Sequence, residues 1–191
     1  GIITNVGTSH IELLGSREAI AEAKGELIRC LPENSVAILN EDDPYVKAMD
    51  SLAKGKTITY GIERNATCIG SHLRYKKDGI KFTCKCYDEV FDIFLPMIGE
   101  HNVYDALAAI VAGRVLGIKS NTIRKGLSEF TGTPMRQEIV PFEDIVILND
   151  AYNANPSSMA EAIKALGQLE GKRKIAMLGD MLELGDFSED A

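Results

Sequence analysis

Long apolar runs are missing from this chain. None of its stretches approaches the roughly 20 residues that a bilayer-spanning helix needs, and the N-terminus lacks the basic-then-apolar layout of a secretory signal. The expected location is the cytosol, with no membrane insertion. Dense basic clusters are missing too. Lys and Arg total 21 against 28 Asp and Glu, a formal charge of −7, which argues against a nucleic-acid-coating surface. The 4 cysteines (Cys30, Cys68, Cys84, Cys86) have neither the paired spacing of a zinc site nor the density of a disulfide scaffold. Cys84 and Cys86 fall on one face of a strand and read as small buried fillers. No Gly-x-x-x-x-Gly-Lys-Ser/Thr loop, no Gly-x-Gly-x-x-Gly after a strand and no nucleophile elbow occurs. A complete nucleotide site is therefore not encoded in these residues. There is no internal repeat and no low-complexity tract.

What is present is ordinary globular material: 45% hydrophobic and 26% charged residues, enough for one large domain or two small ones. Ile2–Val6 reads as a buried strand, and Gly7–His10 as the loop at its C-terminal end, where open α/β sheets gather ligands. Ser16 reads as the cap of a helix running to about Cys30. Val36–Asn40 is a second strand, followed by a helix capped by Asp43 with Pro44 at its first position. From Thr57 to Leu95 the pattern becomes short alternating strands, predicting an antiparallel hairpin patch that breaks at Asp78-Gly79. An alanine-rich helix from Asn102 to Leu116, closed by Gly117, and a helix from Ser120 to about Phe130 follow.

Thr131-Gly132-Thr133-Pro134 is the expected domain boundary, because helix formers stop there and turn residues cluster. Beyond it, Gln137–Val140 and Ile145–Leu148 read as strands, Asn155–Leu169 as a helix and Lys174–Leu178 as a further buried strand. Strand, helix, strand is the opening of a Rossmann-like unit. Both ends read as cut: Gly1 opens inside a strand, and Phe187–Ala191 stops where a helix would start.

Singly, the polar clusters are ambiguous. His10 is a satisfied loop histidine or a metal ligand, and Lys24 a solvated helix lysine or something more. Asn102 caps a helix or meets a ligand. Asp150–Pro156 is an elaborate cap or a site. Arg136 ties two domains together or grips a phosphate with its planar fork.

In order and spacing, however, Thr4–Ser16, Ala23–Leu27, Asn40–Asp43, Gly99–Asn102, Asp150–Pro156 and Gly179–Gly185 resemble the Mur ligases of peptidoglycan synthesis. The last two strings are most similar to members that add D-alanyl-D-alanine to UDP-N-acetylmuramoyl-tripeptide. The resemblance implies an α/β fold. Residues 1–134 would be the later part of the central ATPase domain, including the hairpin patch. Residues 135–191 would begin the Rossmann-like C-terminal domain. It implies ATP and Mg²⁺ as cofactors and an acyl phosphate intermediate. It implies His10 as a magnesium ligand, and Lys24 as a lysine that becomes carbamylated and so binds metal. It further implies that Asn102 touches adenine, Arg136 reaches the phosphate and Asp150 holds the ribose, with Tyr152 and Asn155 in the same nucleotide-facing loop. The family pattern often has a second Asn three residues after His-Asn, where this chain has Asp105. A chain without a phosphate loop is expected to be inactive alone. The alternatives are a non-catalytic nucleotide-binding or interaction module of the same fold, or another Mur-type or folylpolyglutamate ligase.

Overall fold

The computed structural model describes residues 1–9, 11–76 and 78–184. In chain order the elements are β1 (Ile2–Ile3), α1 (Ile11–Leu14), α2 (Arg17–Cys30), β2 (Val36–Asn40), α3 (Pro44–Ala48) with a 3-10 turn at Met49–Leu52, and β3 (Lys56–Gly61). Then come β4 (Cys68–Lys76), β5 (Gly79–Cys86), β6 (Glu89–Leu95), α4 (His101–Val115), α5 (Ser120–Ser128), β7 (Glu138–Phe142), β8 (Ile145–Asn149) and α6 (Pro156–Gln168).

The caps form where the side chains demand them. Ser16 Oγ accepts from Ala19 N at 3.1 Å, and Asp43 Oδ1 accepts from Tyr45 N and Val46 N, each satisfying amides that the first helical turn leaves free. Gly117, at φ +76°, closes α4.

One six-stranded sheet runs β1-β2-β3-β4-β5-β6, and β7-β8 form a separate antiparallel pair. The large sheet is mixed. β1 to β4 are parallel, whereas β4-β5 and β5-β6 are antiparallel. The hairpin patch therefore begins at β4, and Thr57–Tyr60, expected within it, belongs to the parallel half. Alternation alone reads one-sided burial, which a strand at the seam of a mixed sheet shares with an antiparallel one.

Successive residues of β2 feed opposite cores, as the period of two requires. Ala37 and Leu39 join Ile3, Val6, Ile20, Ile28 and Val46 on the α2–α3 side. Ile38 joins Ile58, Tyr60, Phe82, Ile93, Leu107 and Val111 under α4. Cys68, Cys84 and Cys86 are buried in this second core, with Cys68 Sγ 3.5 Å from Cys84 Sγ, and Cys30 is exposed. Cys84 and Cys86 fill space, as expected of small apolar side chains, and Cys68 joins them.

Asp42 ties the halves together. Its carboxylate accepts from the backbone N–H groups of Ile62 (2.6 Å), Glu63 (3.0 Å) and Arg64 (2.8 Å) and from the Tyr104 hydroxyl at 3.1 Å. One side chain thus fixes the β3–β4 turn against α4.

Two further expectations are corrected. Asn102 does not cap α4: it is the second residue of that helix, and Glu100 occupies the cap position with no side-chain bond. Lys174–Leu178 forms no strand and is exposed, Met177 at 94%. Among the described residues nothing pairs with that segment, and an apolar run without a neighbouring strand has no ladder to satisfy its amides.

Candidate active site

The loop leaving β1 is held by four neighbours. Asn40 Nδ2 donates to Thr4 O at 2.9 Å, Lys24 Nζ to Asn5 O at 2.7 Å and Arg17 to Val6 O at 2.7 Å, and Val6 N donates to Asp43 Oδ2 at 2.8 Å. Lys24 reaches the loop because Ser16 starts α2 where its third turn passes the strand end. The residue is half-buried, and its ammonium donates to a backbone carbonyl in an exposed contact, which orients it toward the loop. Thr8 Oγ1 is buried without a hydrogen-bond partner among the described residues, a polar group left facing the loop's interior. Next to it, Ser9 Oγ accepts from Asn155 Nδ2 at 3.0 Å, a contact across 146 positions of chain.

Asn155 also caps α6. Its Oδ1 accepts from Ser158 N at 2.9 Å, and its own N–H donates to Ser158 Oγ at 3.0 Å. With oxygen spent on the cap, the amide nitrogen is free for Ser9. A residue read from sequence as part of a nucleotide-facing loop is thus also one of the contacts between the two units.

A second cluster gathers at the start of α4. Asn102 is buried, its Nδ2 donating to Ile98 O at 2.6 Å and lying 3.0 Å from His101 Nε2. His101 Nδ1 and Gln137 Oε1 are buried with no hydrogen-bond partner among the described residues. His101 Nδ1 lies 4.0 Å from Glu161 Oε2 on α6. Gln137 is connected onward: its N–H donates to Asp150 Oδ1 at 3.2 Å. Six residues separate Asn155 from Glu161, about 9 Å of helix rise, so α6 meets the β1 loop at its cap and α4 two turns later.

Gly99 makes this packing possible. At φ +88°, a Cβ there would sit 2.8 Å from His101 Nδ1 and 3.3 Å from Gln137 Oε1. Gly99→Ala is expected to cost about 1–2 kcal/mol and to displace the His101 ring. Urea unfolding and the His101 ring NMR signal check both, and an unmoved ring signal would contradict this account.

Arg136 lies over the Tyr152 ring, 4.1 Å from its centre, and Tyr152 N donates to Met135 O at 3.2 Å. Met135 and Gln137, on either side of Arg136, hold φ of +61° and +50°. Left-handed backbone at two non-glycine residues is unfavourable and concentrates at functional sites.

Lys24, Asn155, Asn102, Arg136, Tyr152 and Asp150 therefore fall into a few linked groups joined through the β1 loop, the Met135–Gln137 turn and α6. His10 lies outside the described residues, as do Gly185 and the residues after it. Gln137, Glu161 and Tyr75, whose hydroxyl donates to Glu100 Oε2 at 2.9 Å, escaped the sequence reading. None sits in a recognisable string, and only the docking of α6 brings Glu161 to His101. Burial pushes the Tyr75 hydroxyl up, with the Glu100 carboxylate adding to it, to about 12, so Tyr75 stays a proton donor.

Among the described residues no three His, Cys, Asp or Glu side chains converge as a metal site. A divalent cation there would need oxygen ligands. The unpartnered Thr8 hydroxyl has that chemistry, and a carbamate formed on the Lys24 nitrogen would supply it through its two oxygens.

Residues 1–113 match the model of the Mur ligase middle domain, and residues 135–191 that of the Mur ligase, glutamate ligase domain. The chain belongs to the Mur ligase family. Over 190 residues this Mur ligase chain is 43% identical to the UDP-N-acetylmuramoyl-tripeptide--D-alanyl-D-alanine ligase of Bacillus subtilis (strain 168), covering 98% of itself and 40% of that relative. A crystal structure of MurF from Acinetobacter baumannii superposes with a TM-score of 0.93 at 30% identity, covering 99% of this chain and 41% of that one. MurF ligase from Thermotoga maritima in complex with ADP superposes at 0.89 with 26% identity, over 99% of this chain and 43% of that one. The chain thus spans about two-fifths of the length of these relatives. The α/β architecture, with its mixed sheet and separate β7-β8 pair, is that of the Mur ligase middle and C-terminal domains. Among the described residues no helix is long and apolar enough to cross a membrane.

Proposed function

We propose that this chain contributes part of the nucleotide site of an ATP-dependent ligase that joins D-alanyl-D-alanine to UDP-N-acetylmuramoyl-tripeptide in the cytoplasm. In this reading residues 1–134 belong to the ATPase domain and 135–191 to the domain that brings in the amine. The supporting observation is the Asn155–Ser9 bond, which ties the Asp150–Asn155 loop of one unit to the β1 loop of the other, the loop that Lys24 also contacts. The likeness to a ligase solved with ADP supports the choice of nucleotide.

The chemistry asks for charge control. A carboxylate is a poor electrophile, so ATP transfers its terminal phosphoryl group to the tripeptide carboxylate, releasing ADP. The amine then attacks the acyl carbon, forming the amide and expelling phosphate. Magnesium, when bound, neutralises the phosphate oxygens during transfer. His10 and carbamylated Lys24 would hold it. Carbamylation replaces the ammonium by an anion, reversing what Lys24 offers to a cation. Arg136, stacked on Tyr152, offers its fork to a phosphate, Asp150 accepts from a ribose hydroxyl, and Asn102 borders the adenine. Because Asn102 Nδ2 donates one hydrogen to Ile98 O and lies 3.0 Å from His101 Nε2, its contribution to a base is through Oδ1 or through the packing of its side chain. Asp105 stands where relatives often carry an amide, and it is exposed on α4, so it supplies no amide donor to the purine.

Intact mass measured under gentle, bicarbonate-containing conditions tests the Lys24 assignment. An adduct of one carbon dioxide that disappears on acidification and is absent from Lys24→Arg is expected, and an adduct unchanged in that variant would rule it out. For the whole reaction, the complete gene product should release phosphate only with the tripeptide and D-alanyl-D-alanine together. Equal release with glutamate as the amine would favour another branch of the family.

A further inference from the structure

The geometry points to a second anion-binding site, on the outer face of the antiparallel half of the sheet, that takes a small molecule bearing two or three linked phosphates. β4, β5, β6 and α5 border a cleft of about 600 Å³, within the range of small-molecule sites. Arg74, Lys76, Lys81 and Arg124 line it together with His72, and Asp92 is the single carboxylate among its described lining residues. None of these belongs to the clusters around Lys24 or Gly99.

Three observations argue that the cleft is built for an anion rather than being a solvated face. Arg74 stands directly opposite Lys81 in the β4-β5 ladder, where like charges about 5 Å apart destabilise the pair. Among the described residues no carboxylate forms an ion pair with Arg74, Lys76, Lys81 or Arg124. Asp92 Oδ1 accepts from Thr83 Oγ1 at 2.9 Å, and Arg124 Nε donates to the Asp92 backbone carbonyl at 2.9 Å, its other guanidinium donors having no hydrogen-bond partner among the described residues. Second, β4 is interrupted between Ser71 and Arg74, with His72 at φ +54°, and such bulges re-aim the side chains that follow. Third, the Lys81 ammonium lies 5.9 Å from the centre of the Phe94 ring. The cations thus stand against a low-dielectric wall that strengthens their field.

The spacing selects the ligand. Arg74 and Lys76 project on one face about 7 Å apart, with Lys81 about 5 Å from Arg74. Four cations against one carboxylate favour a ligand with several negative charges over a single phosphate, and side chains rooted about 5–7 Å apart can each reach a different phosphate of a short chain.

Calorimetric titration of the 191-residue chain at low salt, without magnesium, tests this with sodium tripolyphosphate, orthophosphate and a single-stranded oligonucleotide of matched charge. Tripolyphosphate is expected to bind at least tenfold tighter than orthophosphate. Lys81→Glu and Lys76→Gln should each weaken it, the former at least tenfold, and Arg136→Ala should leave it within twofold. Lys81→Glu should also raise the melting temperature by about 1–3 °C, because it sets opposite charges across the ladder, so lost binding cannot be ascribed to lost folding. No measurable binding, equal affinity for orthophosphate, tighter binding of the oligonucleotide, or loss on Arg136→Ala rather than on the two lysine substitutions would each overturn the proposal.

Discussion

Asp42→Ala is expected to lower the melting temperature by about 5–15 °C. The carboxylate accepts three backbone N–H bonds and one tyrosine hydroxyl. Removing it leaves the part-buried Ile62 N–H and Tyr104 hydroxyl without a partner and turns the exposed Glu63 and Arg64 N–H groups over to water, a loss of about 2–4 kcal/mol. At about 2–4 °C per kcal/mol for a chain of this size, that is the stated range. Burial alone would push the Asp42 carboxyl up, but the N–H groups of Glu63, Ile62 and Arg64 and the Tyr104 hydroxyl outweigh it, and the net effect is a carboxyl held below its ordinary value. A folded value lower than the unfolded one means that the contribution is complete above the unfolded carboxyl, at about pH 4. It drains away as the pH falls through the folded value. The stability gap between the parent and Asp42→Ala should therefore be full at pH 7 and narrow progressively below about pH 4. Thermal unfolding followed by circular dichroism across that range checks it, and a gap that widened in acid would show that the carboxylate is not the stabilising form.

In the complete ligase, Lys24→Ala should cut the turnover number by about 10²–10³-fold, the scale of losing one group that balances charge in the transition state. The fold should survive, since the side chain makes one exposed hydrogen bond to a loop carbonyl. If the group that acts is the carbamate, a small carboxylate such as acetate should restore part of the turnover in the alanine variant, because it returns an anion to the vacated space. A lysine acting as an ammonium would instead respond to a small amine. Steady-state phosphate release with each additive separates the two, and rescue by the amine alone would remove Lys24 from the metal site.

The reach of sequence reasoning here is visible element by element. α2, α3 and α6 were legible because Ser16, Asp43 and Asn155 carry their instructions locally, each cap side chain bonding an amide two or three residues on. The direction of β3 was not legible, because strand pairing depends on a neighbour that is not adjacent in sequence. Lys174–Leu178 shows the same weakness from the other side, a strand-like string that stays irregular without a partner.

The chain's own letters determined the family, the side-chain caps of α2, α3 and α6 and the short strings that carry the site, because each of these is written in residues a few positions apart. Only the folded arrangement decided that Asn155 bonds Ser9, that Glu161 faces His101, that Asp42 binds the β3–β4 turn to α4 and that Arg74 confronts Lys81. Those contacts join residues far apart along the chain or on different strands. They exist because packing two apolar cores against one sheet leaves the polar side chains a single set of neighbours.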